Sequence, residues 1–342
     1  MIQYRQLLDR LQEHRDLPDA GLSFLVSCTD PAVQEDLAER SRSEAQRVFG
    51  REVYLRGLVE WSNVCCCDCL YCGIRASNAS LSRYTLDRET LLRCAENVYS
   101  AGIRTLVIQG GENPSAARSL VEIVAEISGS WPLMAITLSL GELPFSLYKA
   151  FREAGAHRYL LRHETASSGH YARLHPAGKT LERRLECLRE LRRLGFQVGM
   201  GMMVGSPFQT EENLLEDLRL LQSFQPEMIG IGPFIPQSDT PLGSYPAGDV
   251  ETTLRLISIL RLMMPEALIP ATTALATLAP DGRRRGLLSG ANVIMPSFTP
   301  APVREAYRLY DNKSHEELDT IRTELASIGY GISPSRGDYH KC

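Results

Sequence analysis

Eight strand-like segments alternate with helix-like segments over most of this 342-residue chain, and this alternation constrains the fold more than any other feature. The strand candidates are Val53–Trp61, Thr105–Gln109, Ala135–Leu140, Arg158–His163, Val198–Val204, Met228–Pro233, Leu268–Thr273 and Asn292–Met295. Eight strands with helices between them predict an α/β fold, a complete (βα)8 TIM barrel. A doubly wound sheet is the alternative, but such a sheet rarely supplies eight regular units without a domain break.

Helical patterns precede and separate these strands. Residues 1–50 predict an N-terminal helical extension, residues 51–310 the barrel, and residues 311–342 a C-terminal helical segment and tail. Asp30 and Asp87 are suitable N-caps for two of the helices. The predicted helices are Tyr4–His14, Ala20–Cys28, Pro31–Phe49, Arg88–Ala101, Ala116–Ile127, Phe145–Glu153, Leu181–Leu194, Glu211–Phe224, Thr252–Leu262 and Arg283–Ser289.

The composition limits where the protein works and what it meets. Hydrophobic residues make up 44% of the chain, which is enough for a substantial core. A formal net charge of -4 gives no long-range attraction to nucleic acid or to an anionic membrane. The charged, amphipathic N-terminus predicts a helix rather than a secretion signal, and no apolar run is long enough to cross a bilayer. We therefore expect a cytoplasmic protein that binds neither nucleic acid nor membrane.

Three cysteines, Cys65, Cys69 and Cys72, form a CxxxCxxC triplet on the loop after the first predicted strand. Because a 4Fe–4S cluster normally takes four thiolates, a compact set of three predicts a cluster with one iron open to another ligand. A zinc site would need a second cysteine or histidine pair, and a disulfide cluster would suit a secreted protein. Cys66 gives an alternative register, but the three-then-two spacing favours Cys65 and leaves Cys66 and Cys67 as bystanders.

The triplet resembles that of the radical S-adenosylmethionine (SAM) enzymes. This resemblance implies that the open iron binds the amino and carboxylate groups of SAM. Electron transfer from the cluster then cleaves SAM to methionine and a 5′-deoxyadenosyl radical. The segment 109–112, Gln-Gly-Gly-Glu, ends the second predicted strand and resembles the GGE segment that holds the SAM amino group. Gly-Gly-Glu alone suits any tight turn, but its position one unit after the cysteine loop strengthens the match.

Alternation of side chains along the predicted strands assigns several polar residues to the barrel interior. These residues are Arg56, Glu60, Thr137, Ser139, Arg158, Arg162 and Glu164. Such interiors are ordinarily filled with branched aliphatic side chains, and an unpaired buried arginine is costly. One interpretation is a set of internal ion pairs between the arginines and the two glutamates. The other is a polar cavity for an anionic substrate, because the arginine fork of donors suits carboxylate, cyanide or similar anions.

Four histidines, His157, His163, His170 and His175, crowd one region of the sequence. Their spacings match no metal-binding motif, and His163 falls on the outward face of its strand. We therefore do not expect a second metal site there.

Longer stretches between about Glu52 and Tyr310 resemble the HydE-type FeFe-hydrogenase maturases, a family of radical SAM enzymes. They are SNVCCCDCLYCGIR (62–75), TLSLGE (137–142), RYLLRHETA (158–166), GIGPFIPQSDTPL (230–242), IPATTA (269–274) and GANVIMP (290–296). The resemblance implies a complete (βα)8 barrel with an internal cavity, in agreement with the alternation of polar residues.

The same resemblance implies roles for individual residues. The cluster ligands would be Cys65, Cys69 and Cys72. The cofactor-binding residues would be Gln109, Gly110, Gly111, Thr137, Ser139, Glu164 and Arg184, with Glu164 and Arg184 contacting the SAM ribose and carboxylate. The catalytic residues would be Arg162, Glu164, Thr272, Thr273, Met295 and Tyr307, and the anion-binding residues Arg56, Arg158, Arg162 and Tyr310.

The implied substrate is an iron–cysteine complex that carries carbon monoxide and cyanide and is made by a partner maturase. The adenosyl radical would attack its cysteine sulfur as a step toward the dinuclear iron site of hydrogenase. The implied partners are other hydrogenase maturases and a reductant such as ferredoxin or flavodoxin. Some family members carry a second, C-terminal cluster built from three cysteines. Here only Cys342 follows Tyr310, so no second cluster is expected.

Two alternatives to the maturase remain open. One is a radical SAM amino-acid mutase of the methylornithine synthase type, which shares the barrel and would abstract hydrogen from an amino acid. The arginine-rich strand 158–164 and the Ser-Leu-Gly-Glu segment 139–142 favour the maturase. The other alternative is a non-catalytic iron–sulfur scaffold or carrier.

Overall fold

The computed structural model describes residues 2–314 and 317–339, so Cys342 lies outside the described residues. The strands are β1 Glu52–Leu55, β2 Gly57–Ser62, β3 Thr105–Gly110, β4 Ala135–Ser139, β5 Arg158–Leu160, β6 Gln197–Met200, β7 Met203–Val204, β8 Met228–Ile229, β9 Gly232–Pro233, β10 Val293–Ile294 and β11 Gly331–Ile332. The helices are α1 Ile2–His14, α2 Asp19–Ser27, α3 Pro31–Phe49, α4 Arg88–Ser100, α5 Pro114–Ser130, α6 Phe145–Glu153, α7 Ser168–Leu174, α8 Leu181–Arg193, α9 Glu211–Phe224, α10 Val250–Met263, α11 Thr273–Leu278, α12 Gly282–Leu288, α13 Ala301–Arg304 and α14 Leu318–Ser327.

Parallel strands close into a barrel with eight strand positions around its circumference. A continuous parallel sheet runs in the order β2, β3, β4, β5, β6 and β8. An extended segment then completes the ring, because Leu268 bridges Met228 of β8 and Pro270 bridges Val293 of β10. Val293 also pairs with Tyr54 of β1, which leads directly into β2. The predicted complete (βα)8 barrel is confirmed.

The strand predictions differ from the structure in two informative places. The strand predicted over Val198–Val204 breaks between β6 and β7 at Gly201, where a Cβ atom would lie 1.9 Å from the carbonyl oxygen of Gly230. The strand predicted over 268–273 is wrong at its end. Pro270 has no amide hydrogen to donate to a ladder, and Thr273 begins α11.

The helix predictions are confirmed almost throughout, because their caps are local. The Asp30 carboxylate accepts from the amide of Ala32 at 2.9 Å, and the Asp87 carboxylate accepts from the amide of Thr90 at 2.7 Å. The N-terminal helices pack on the outside of the barrel, α3 along α10 and α2 against α9. Covered on both sides, α10 is buried around most of its circumference.

The segment 333–339 crosses the N-terminal end of the barrel. It follows β11, which pairs with β1 in parallel. Thr105, the first residue of β3, donates its hydroxyl to the carbonyl oxygen of Arg336 at 2.8 Å. The amide of Tyr339 donates to the side-chain oxygen of Gln197, the first residue of β6, at 3.3 Å. This segment therefore forms a floor beneath the barrel.

Within residues 2–314 and 317–339, no helix has both the length and the apolar character that a membrane crossing requires.

Candidate active site

A cavity of about 1930 Å³, including its open mouth, occupies the barrel and extends from the cysteine loop to Arg56. It brings together all but one of the residues predicted to bind the cluster, SAM or substrate. These residues are Arg56, Cys65, Cys69, Cys72, Gln109, Gly110, Gly111, Thr137, Ser139, Arg162, Glu164, Arg184, Thr272, Thr273, Met295, Tyr307 and Tyr310. Sequence positions up to 254 residues apart therefore share one chamber, as the predicted polar interior requires.

Arg158 is the exception, and its predicted place in the cavity is corrected. The Arg158 guanidinium is fully buried in the floor. It donates to the Asp338 carboxylate at 2.7 Å, to the Thr105 hydroxyl at 3.0 Å and to the Gln197 side chain at 3.0 Å. Alternation along β5 gave the correct face for this residue. Alternation does not specify the position of a residue along the barrel axis. Arg158 is the first residue of β5 and therefore lies below the cavity.

The cysteine loop lies on the C-terminal end of β3 at the mouth of the cavity. Gly111 permits this contact, since a Cβ atom there would lie 2.5 Å from the carbonyl oxygen of Val64 and 2.7 Å from the Cβ of Cys65. Cys66 is exposed and does not line the cavity, whereas Cys65 does. This placement favours the register that begins at Cys65.

Cys66, Cys67 and Glu112 offer ligand atoms that lie within 4.8 Å of one another. The Cys67 thiol donates to the Glu112 carboxylate at 3.0 Å. The ammonium group of Lys179 lies 2.5 Å from the same carboxylate oxygen. Because that oxygen is already paired with a cation, the group is a hydrogen-bonded cluster rather than a site for a single metal ion.

Lys179 and Arg184 place two positive charges beside two buried carboxylates below the cysteine loop. Lys179 contacts Glu142 at 3.1 Å as well as Glu112, and Arg184 donates to the other oxygen of Glu142 at 2.7 Å. Burial alone would raise the pKa of Glu142, but the charges of Arg184 and Lys179 outweigh it and hold that pKa below its usual value. The sequence did not reveal Lys179, because this lysine lies in the irregular loop between α7 and α8.

Arg162 and Glu164 project into the cavity from the end of β5. Their side chains form an ion pair, with Nη2 2.6 Å from Oε2. A second guanidinium group supports this segment, because Arg184 donates to the carbonyl oxygen of Arg162 at 3.0 Å. The barrel interior therefore contains one arginine–glutamate ion pair of the kind that the first interpretation of the sequence predicted.

Among the described residues Glu60 pairs with a lysine and not with an arginine, which corrects the ion-pair interpretation for this glutamate. It is fully buried and accepts from Lys313 and from the hydroxyl of Thr299 at 2.6 Å. Lys313 also lies over the ring of Tyr307, 5.3 Å from its centroid. Lys313 was missed as a cavity residue because it follows the barrel in a segment without a regular pattern.

Arg56 carries a buried positive charge that no acidic side chain among the described residues neutralises directly. Its Nη1 donates to the sulfur of Met228 at 3.0 Å, while Nε and Nη2 have no partner in the described part of the chain. Burial and the charge of Arg158 lower the pKa of Arg56 well below its ordinary value. The hydroxyls of Thr137 and Thr272 on the cavity wall are likewise buried without a partner. Buried donors without acceptors are costly, so this wall fits an anionic or polar ligand.

The barrel, the cysteine triplet at its mouth and the polar cavity beneath it define a radical SAM enzyme. A model of the radical SAM superfamily matches residues 59–221, which span the cysteine loop, the Gly-Gly-Glu segment and the Arg162–Glu164 pair. The chain is 42% identical over 310 residues to the FeFe hydrogenase maturase subunit HydE of Thermotoga maritima, covering 90% of this chain and 88% of that protein. It belongs to the HydE family.

More distant relatives share the architecture. The 3-methylornithine synthase of Methanosarcina barkeri is 28% identical over 341 residues, which cover 98% of this chain and 95% of that protein. The crystal structure of a methylornithine synthase, PylB, superposes with a TM-score of 0.85 at 25% identity and covers 96% of this chain and 97% of that one.

Proposed function

We propose that this protein is a radical SAM enzyme of FeFe-hydrogenase maturation that acts on an iron–cysteine complex carrying carbon monoxide and cyanide. One observation carries the proposal. A cysteine triplet and a buried arginine without a counter-charge, Arg56, lie at opposite ends of the same cavity. The similarity to the maturase of Thermotoga maritima over nearly the whole chain supports the same conclusion.

Cys65, Cys69 and Cys72 would hold one 4Fe–4S cluster, and the carbonyl groups of Gly110 and Gly111 would accept from the amino group of SAM. When bound, the cluster and SAM together supply a 5′-deoxyadenosyl radical by reductive cleavage of SAM. No second cluster is proposed, because the only cysteine after Tyr310 in the sequence is Cys342.

The chain's own residues would hold SAM between the two charged groups below the cysteine loop. Arg184, paired with Glu142, would attract the SAM carboxylate, and Glu164 would accept from the ribose hydroxyls. Gln109, Thr137 and Ser139 line the adjoining wall and would complete the polar contacts. These side chains would orient SAM and limit the access of water to it.

The substrate would lie deeper in the cavity, with its anionic ligands toward Arg56 and Arg162. The hydroxyls of Thr137 and Thr272, which have no partner among the described residues, can donate hydrogen bonds to a cyanide nitrogen or a carboxylate oxygen. Met295, Tyr307 and Tyr310 would form the remaining walls, together with Thr273, the first residue of α11. With its anionic ligands held in this way, the substrate would present its cysteine sulfur toward the SAM site.

The partners we propose are a maturase that supplies the iron–cysteine complex, a further maturase that receives the product, and ferredoxin or flavodoxin as the reductant. The cytoplasm is the compartment we propose, since the eight cysteines in the described part of the chain are free. A reduced cluster with an open iron also needs low oxygen.

The test is anaerobic reconstitution followed by reaction with SAM, a reductant and the synthetic iron–cysteine complex. We expect 5′-deoxyadenosine to form and apo-hydrogenase to become active when the other maturases are added. Cys69→Ala is the control and should yield neither. Formation of 5′-deoxyadenosine without any change in the complex would contradict the proposed substrate.

Methylornithine synthase activity is the second candidate, and the TM-score of 0.85 to PylB favours it. The same reconstituted enzyme incubated with lysine separates the two. Production of 3-methylornithine would establish the mutase, while unchanged lysine together with consumption of the iron–cysteine complex would establish the maturase. Absence of 5′-deoxyadenosine under all conditions would instead indicate a carrier of the cluster.

A further inference from the structure

Glu164 holds its cavity-facing carboxylate on a strained backbone. Its φ of 66° lies in the left-handed region, which residues other than glycine rarely adopt. The Glu164 amide donates to the carbonyl oxygen of Gly201 at 3.0 Å, and its own carbonyl accepts from the amide of Met203 at 3.3 Å. These two hydrogen bonds connect Glu164 to the neighbouring strand segment, but they do not hold the residues on either side of Glu164. Such a conformation persists only where the surroundings fix it.

The flanks of Glu164 are held by one carboxylate from the outer helix layer. Asp217 of α9 is fully buried, and its Oδ1 accepts from the amide of Ala166 at 2.5 Å. The same oxygen lies 3.1 Å from Nε2 of His163. Because the amide of Gly201 donates to Nδ1 of His163 at 3.3 Å, Nε2 must carry the ring proton and donate to Asp217. One side chain therefore grips the residue before Glu164 and the second residue after it.

This pair lies behind the strand and takes no direct part in the cavity. Neither Asp217 nor His163 is among the residues that line it. The second oxygen of Asp217 has no partner in the described part of the chain, and burial raises the pKa of Asp217. A leucine would fill such a position between helix and strand without that desolvation cost. What the Asp217 side chain supplies, and a leucine could not, is the pair of hydrogen bonds that brackets Glu164.

We propose that Asp217 and His163 are positioning residues that fix the backbone of Glu164 and so aim its carboxylate at the ribose of SAM. The proposal rests on the role assigned to Glu164 under the proposed function. We call Asp217 and His163 the clamp. Without the clamp, the backbone of segment 163–166 relaxes from the left-handed conformation at Glu164, and the Glu164 carboxylate moves away from the ribose hydroxyls. Cluster binding does not depend on this clamp, because the three cysteines lie on a different loop.

Three variants of the reconstituted holoenzyme test the clamp. Asp217→Ala removes both hydrogen bonds, while Asp217→Asn keeps an oxygen that can accept both. Leu221→Ala opens a cavity in the same buried helix face without touching the clamp. Iron content, thermal stability, SAM affinity from the change in the electron paramagnetic resonance spectrum, and the KM and kcat for 5′-deoxyadenosine formation are measured for each.

For Asp217→Ala we expect normal iron content and a SAM affinity weakened by about tenfold or more, equivalent to about 1.4 kcal/mol. KM for SAM should rise far more than kcat falls, as for an interaction made equally in the bound and transition states. Asp217→Asn should restore most of the lost affinity. Leu221→Ala should lose thermal stability but keep its SAM affinity. If Asp217 had a purely structural role, Asp217→Ala would behave in the same way as Leu221→Ala.

A double-mutant cycle with Glu164→Ala decides the mechanism. If the clamp acts through Glu164, adding Asp217→Ala to Glu164→Ala should weaken SAM binding no further. A full, additive effect in that background would overturn the proposal, and so would wild-type SAM affinity in Asp217→Ala. Unchanged affinity in Glu164→Ala alone would overturn the role of Glu164 itself. If Asp217→Ala fails to fold, His163→Phe is put through the same cycle, and the same outcomes are expected. This variant keeps the Asp217 carboxylate and an aromatic ring at position 163 but removes the hydrogen bond between them.

Discussion

The guanidinium of Arg158 and the carboxylate of Asp338 form an ion pair across the floor of the barrel, 2.7 Å apart. Arg158 is fully buried, whereas 29% of the Asp338 side chain is exposed. The segment 333–339 is thus fastened to the N-terminal ends of the strands, directly beneath the chamber that holds Arg56.

Asp338→Ala should destabilise the apo-protein, because it leaves the buried Arg158 with neutral partners only. We expect a loss of about 1–3 kcal/mol in the free energy of unfolding, below the value for a fully buried pair because Asp338 is partly exposed. Urea denaturation measures the change. Asp319→Ala, which breaks the exposed pair with Arg322 on α14, is the matched control and should change stability by less than about 0.5 kcal/mol. Equal stabilities for the two variants would contradict the importance of the floor pair.

Arg56→Met should have the opposite effect on stability. Methionine has a similar length and removes a buried charge whose Nε and Nη2 have no partner among the described residues. The free energy of unfolding of the apo-protein should therefore rise by about 1–3 kcal/mol. Binding of the iron–cysteine complex, followed by calorimetry, should be lost, while SAM cleavage persists.

Arg162→Met is the contrasting variant, because Arg162 is paired and its removal leaves the Glu164 carboxylate without that partner. It should lower the stability of the apo-protein rather than raise it. If both methionine variants destabilise the protein equally, Arg56 has a neutralising partner and the anion site is refuted.

Acidification should destabilise the apo-protein in part through His175. This ring donates from Nδ1 to the carbonyl oxygen of Tyr171, accepts from the hydroxyl of Tyr71 and lies near Arg184. Burial, reinforced by the charge of Arg184, lowers the pKa of His175 from its ordinary 6.5 to about 4. Between these values the unfolded chain binds a proton that the folded protein does not. The stability contributed by His175 is therefore complete above pH 6.5 and is lost as the pH falls toward 4.

Comparison of wild type with His175→Phe isolates this contribution. Between pH 7 and pH 5 the free energy of unfolding of the wild type should fall by about 1–2 kcal/mol more than that of the variant. Phenylalanine keeps the stacking on Tyr171 but cannot titrate. His157 also has a pKa lowered to about 4, mainly by burial, and its contribution is common to both proteins. Parallel pH profiles would show that His175 titrates normally in the folded state.

The fold was predictable because its signals are local. Asp30 and Asp87 cap the helices that follow them, and alternation along each strand assigned Thr137, Ser139 and Glu164 to the interior. Eight such units leave few ways to bury every apolar face, and the closed barrel is the simplest of them.

The parts of the site that could not be predicted depend on position along the barrel axis or on loops. Strand alternation does not distinguish Arg158 in the floor from Arg162 in the cavity, since both lie on one face of the same segment. Lys179 and Lys313 reach the cavity from irregular segments whose course depends on tertiary packing. The clamp on Glu164 was also hidden, because Asp217 is one carboxylate among many on an otherwise amphipathic helix.

The most direct test is electron paramagnetic resonance of the reduced, reconstituted protein with and without SAM, in wild type, Cys65→Ala and Cys66→Ala. A cluster held by Cys65, Cys69 and Cys72 predicts a signal that SAM perturbs in wild type and in Cys66→Ala, and no such perturbation in Cys65→Ala. Loss of the perturbation in Cys66→Ala alone, or a wild-type signal indifferent to SAM, would contradict a cluster with three thiolates and one open iron.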